Sequence, residues 1–100
     1  MGHARPDELL DIADVLEEIR ALPGVSERSR GIFYIGRDPF LHFHTKAGVR
    51  WADAKDGRDW GPELPLPIGP PQVAKARFVK EVRRRHEAST NARPRRRTMR

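Results

Sequence analysis

The sequence predicts a single α+β domain, with an N-terminal helix, a three-stranded antiparallel meander, a C-terminal helix and a basic tail. Two observations carry that fold class. Apolar residues recur at helical spacing near both ends of the folded part, and short runs rich in β-formers lie between them. The separators of those runs, GRDP and KAG, are too short for a parallel crossover, so consecutive strands pair antiparallel. A length of 100 residues suits one domain. Residues 1–5 are expected to be a flexible N-terminus, 6–87 the folded domain, and 88–100 a disordered arginine-rich tail.

The first helix is the clearest element. Leu9, Ile12, Leu16 and Ile19 repeat every three or four residues, and Leu10, Ala13 and Leu22 widen the stripe. Pro6 fits a first turn, Asp7 and Glu8 place negative charge at the positive end of the helix dipole, and Pro23-Gly24 stops it.

Three strands follow, at Ile32–Ile35, Phe40–Thr45 and Val49–Ala54, with Asp56-Gly57 offering a short fourth through Trp60. A three-residue Lys46–Gly48 loop, with Gly48 left-handed, pairs Thr45 with Val49. Phe43 then faces Trp51 and Leu41 faces Asp53. His44 lies across from Arg50, and His42 across from Ala52. Pairing Ile35 with Phe40 adds Tyr34 to the Phe43 face, where the first helix is expected to pack. A change of one residue in a loop inverts every one of these assignments.

Gly61–Pro71 holds five prolines in eleven residues, so an extended connector is expected, with Leu64, Leu66 and Ile68 against the core. Gln72–Glu87 is the second helix, with Val73, Ala76, Phe78, Val79 and Val82 as its apolar face.

Without cysteine, disulfides, thiolate metal sites and cysteine nucleophiles are excluded. No apolar run is long enough to span a membrane, and the expected location is cytoplasmic. No serine elbow or phosphate-binding glycine loop is present.

His42 and His44 share one strand face, about 6.5–7 Å apart, as two ligands of one metal would. Asp53 is the nearest third donor, but the three-residue loop puts it on the opposite face. A two-residue Ala47-Gly48 turn would bring it opposite His42. Arg50 beside His44 opposes a cation, so His42, His44 and Arg50 are read as a possible ligand pocket with no metal or cofactor assigned.

Charge is divided unequally. Residues 1–71 carry 9 Lys/Arg against 12 Asp/Glu, and residues 72–100 carry 11 against 2. Arg83, Arg84, Arg85, Arg93, Arg95, Arg96 and Arg97 suit phosphate contacts, because guanidinium groups stay charged and bind oxyanions bidentately.

ALPGVSER at Ala21–Arg28, with IFYIGRDPFLHFHTKAG at Ile32–Gly48, resembles the MmcQ/YjbR-like family of small bacterial proteins. That resemblance implies a compact α+β domain with an antiparallel sheet and a DNA-binding role, and it implies no catalytic residue.

Three function classes result. The first is a non-catalytic module binding nucleic acid or another polyanion through the basic C-terminus. The second is a protein–protein module using the acidic helix, or a homodimer formed through an apolar sheet patch of Phe33, Ile35 and Phe40 if no helix covers it. The third is a small-molecule or metal-dependent enzyme around His42 and His44.

Overall fold

A computed structural model describes residues 3–92. The chain is α+β, with helices at both ends of an antiparallel sheet. A 3₁₀ segment (Pro6–Ile12) leads into α1 (Ala13–Arg20). The sheet contains β1 (Val25–Ser29), β2 (Ile32–Ile35), β3 (Asp38–Lys46), β4 (Val49–Asp56), β5 (Asp59–Trp60) and β6 (Leu64–Pro65), and α2 (Gln72–Ala92) closes the fold. Strands β1 to β5 lie in sequence order, and β6 pairs with β4 beside β5.

The sheet therefore exceeds the three strands expected. The polar segment VSERS, outside the three strands the sequence predicts, pairs with β2 as the edge strand, where one solvated face suits polar residues. The proline-rich connector contributes β6, whose position on the outer edge of β4 tolerates a missing N–H. Leu66 is buried as expected, but Ile68 is exposed.

The expected register is corrected by one residue. Lys46 pairs with Val49 around a two-residue turn, with Ala47 at φ 52° and Gly48 at φ 79°. Two left-handed residues in succession give the turn whose twist matches the flanking strands, and Ala47 accepts an unfavourable φ to make it. Phe43 consequently faces Ala52, His44 faces Trp51, His42 faces Asp53, and Thr45 faces Arg50. Trp51 belongs to the histidine face, and Arg50 goes to the core. Ile35 pairs with Asp38 rather than Phe40, and a bulge at Phe40 leaves both Phe40 and Leu41 buried.

Both helices cover one face of the sheet. Leu9, Ile12, Leu16 and Ile19 form one core with Phe33, Leu41, Phe43, Ala52 and Ala54, joined by Phe78, Val79 and Val82 from α2. Phe78 stacks on Phe43 with ring centroids 5.6 Å apart. Phe33, Ile35 and Phe40 are buried within the chain, so the condition attached to the homodimer through that patch is not met.

The first helix is not α-helical throughout, and its 3₁₀ part is bound by Arg50. Its guanidinium is fully buried and donates to Glu8 O at 2.8 Å, to both carboxylate oxygens of Asp11 at 2.7 and 2.9 Å, to Leu66 O at 2.8 Å and to Pro67 O at 3.0 Å. The same arginine satisfies carbonyls of a segment whose prolines supply few donors.

The Arg50 guanidinium, together with a hydrogen bond from the Gly69 N–H, holds Asp11 down at about 2, below its usual 3.8. A depressed carboxylate stabilises the fold above its ordinary pKa and loses that contribution as pH falls through the folded value. Unfolding free energy should therefore fall by about 1 kcal/mol between pH 4 and pH 2 on account of Asp11, allowing for solvent screening of this partly exposed pair. In urea titrations Asp11→Asn should lack that component of the pH dependence.

The helix α2 runs to Ala92, beyond the expected end at Glu87. Ser89 is buried and donates to Lys55 O, so the last turn is part of the packed body. At the other end, Ala4, within the stretch expected to be flexible, is buried and donates its N–H to Phe43 O at 2.9 Å.

Candidate metal centre

The sheet face without helices carries His42 and His44 on β3, and Trp51, Asp53 and Lys55 on β4. Above its register with β2, strand β3 has a free edge, and the N-terminal segment occupies it through a bridge between His3 and His44. Three imidazoles thus meet at one point, with ring centroids 5.0 Å (His3–His42), 5.3 Å (His3–His44) and 4.5 Å (His42–His44) apart. One ring nitrogen from each lies within 4.8 Å of the others.

The contacts within the cluster are those of donor atoms aimed at a common centre. His42 Nδ1 lies 2.6 Å from His44 Nε2, and Asp53 Oδ2 lies 2.9 Å from that same Nε2. A single N–H at His44 Nε2 can serve one of these two acceptors, not both. A divalent cation at the centre satisfies the lone pairs of the three imidazoles together. Nitrogens bound at about 2.0–2.1 Å in a tetrahedral site lie about 3.4 Å apart, so the His42–His44 pair has to open by about 0.8 Å.

The environment prepares the ligands. Burial, with the neighbouring His44 and His3, pushes His42 down to about 4 from its usual 6.5, against a small opposing effect of Asp53. The ring is therefore neutral at physiological pH, which is the form that binds metal. Trp51 stacks on His44 at 5.4 Å and Trp60 meets His42 edge-on at 4.9 Å, fixing both rings. Trp51 Nε1 is buried without a hydrogen-bond partner among the described residues. Lys55 lies over the Trp60 ring at 5.1 Å.

Of the residues read from sequence as a ligand pocket, the fold brings His42 and His44 together and removes Arg50 to the other side of the sheet. Its charge therefore does not oppose a cation there. Nothing local in the sequence links His3 to β3. Its placement comes from the Ala4–Phe43 hydrogen bond and the strand pairing beside it.

The basic residues are distributed differently. Arg85 is buried, bound to Glu81 and Ala54 O, and acts as a structural arginine. Arg83 pairs with Glu18, and Arg84 with both Glu81 and Asp56. Arg93, Arg95, Arg96 and Arg97 lie outside the described residues. A separate cleft of about 320 Å³, lined among others by Ile35, Phe40, Lys55 and Arg58, contains none of the histidines. No helix among the described residues is long and apolar enough to cross a membrane.

No family model matches the chain, and no curated protein or solved structure matches it either. The functional reading therefore rests on the site.

Proposed function

We propose that this domain binds a divalent transition metal through His3, His42 and His44. The observation that carries the reading is the convergence of three imidazole nitrogens within 4.8 Å, from two separate segments of chain. Imidazole ligands without sulfur suit zinc, nickel, cobalt or copper rather than calcium or magnesium. Because His3 precedes the first helical turn, a bound metal ties the N-terminal segment to β3. Equilibrium dialysis against zinc should give one ion per chain. If a variant with both His42 and His44 replaced by alanine retains as much zinc, the reading is wrong.

A second reading concerns polyanions. Arg77 and Lys80 on α2 have no ion-pair partner among the described residues, and the helix leads directly into the arginine-rich terminus. Contacts from the five terminal arginines to duplex DNA should give a slope of log affinity on log salt near −4 to −5, by counterion release. Truncation after Ala92 should remove most of that slope. Absence of binding near 50 mM salt, where such contacts are strongest, would sink this reading.

A further inference from the structure

We infer, on the reading that the three imidazoles hold a metal, that the ion keeps an exchangeable fourth position, and that Asp53 serves it as a hydrogen-bond acceptor instead of filling it. The convergent donor group among the described residues consists of His3, His42 and His44, and Asp53 stands outside it. Its Oδ2 instead touches His44 Nε2 at 2.9 Å. A metal that takes this nitrogen deprives the carboxylate of its partner while leaving it beside the ion. What then satisfies Asp53 is a proton on the atom occupying the fourth position.

Three protein ligands with one replaceable position distinguish catalytic and ligand-binding metal sites from closed structural ones. The surroundings agree, because His3 is exposed and His42 and His44 are only partly buried, so the centre opens towards solvent. Exposed Trp60 forms a wall beside His42. The chemical class follows from the acceptor. The site takes an oxygen ligand that also carries a proton, such as water, a hydroxyl or a hydroxamic acid. Pure acceptors such as azide bind less well, since they meet the carboxylate with charge of the same sign.

The test is visible spectroscopy of the cobalt(II) protein, titrated separately with acetohydroxamic acid and with azide, for the full chain and for Asp53→Asn. Both probes should change the cobalt absorption of the full chain. Asp53→Asn should leave cobalt affinity within a few-fold, weaken the hydroxamic acid on the order of 10-fold, as loss of one charged hydrogen bond implies, and leave azide unchanged or tighter. If the full chain binds no cobalt, the metal reading itself fails. If cobalt binds and neither probe alters the spectrum, the position is not exchangeable and the inference is overturned. If Asp53→Asn loses cobalt affinity 100-fold or more, Asp53 is a ligand and the site is closed. Unchanged affinity for both probes in that variant removes the role assigned to Asp53.

Discussion

Arg50→Met should lower the unfolding free energy by about 3–5 kcal/mol, the range found when one partner of a buried ion pair is deleted. The size follows from the number of groups left behind. All five guanidinium N–H groups are engaged, and the side chain is fully buried. Replacing it deprives three carbonyls and the Asp11 carboxylate of its N–H groups, at two places in the chain: the 3₁₀ segment, which includes Asp11, and the proline-rich connector. A small domain holds about 5–15 kcal/mol in all, so a third or more of its stability should go. Arg50→Lys should also destabilise, because three donors on a point charge cannot reproduce the planar fork. Urea titration reads the effect directly, and an unchanged midpoint for Arg50→Met would show that the clamp contributes little.

His42→Ala should weaken zinc binding by on the order of 100-fold or more. Apparent zinc binding energies in structural sites, about 10–16 kcal/mol over four ligands, imply roughly 3 kcal/mol for each. The same variant should lose most of the thermal stabilisation by zinc, which for the parent chain is about 2.7 kcal/mol when free metal is at 100 times Kd. Calorimetric titration and thermal melts with and without zinc measure the two effects. Equal zinc affinity in the parent chain and His42→Ala would show that His42 is a bystander.

The α+β architecture was legible because it depends on local patterns. The stripe of Leu9, Ile12, Leu16 and Ile19 and the β-formers on either side of GRDP and KAG point to their elements without outside help. Polar β1 was not legible, since its pairing comes from β2 and not from its own residues. The faces of β3 and β4 turned on a single turn residue. Ala47 in a left-handed conformation is an uncommon choice, and it reversed the destinations of Arg50, Trp51 and Asp53. The site was legible in half. The spacing of His42 and His44 brings them together on any strand, and Asp53 joins them only under the two-residue turn. His3 comes from across a free strand edge that no sequence pattern announces.

The most direct test of the metal reading is X-ray absorption at the zinc edge of the zinc-loaded full chain. The account predicts a first shell of nitrogen and oxygen at about 2.0–2.1 Å, with outer-shell scattering from three imidazoles and no sulfur. It also predicts that the imidazole signal falls by about one third in His3→Ala. A spectrum with one imidazole or none, or one unaltered by loss of His3, would contradict the three-histidine centre.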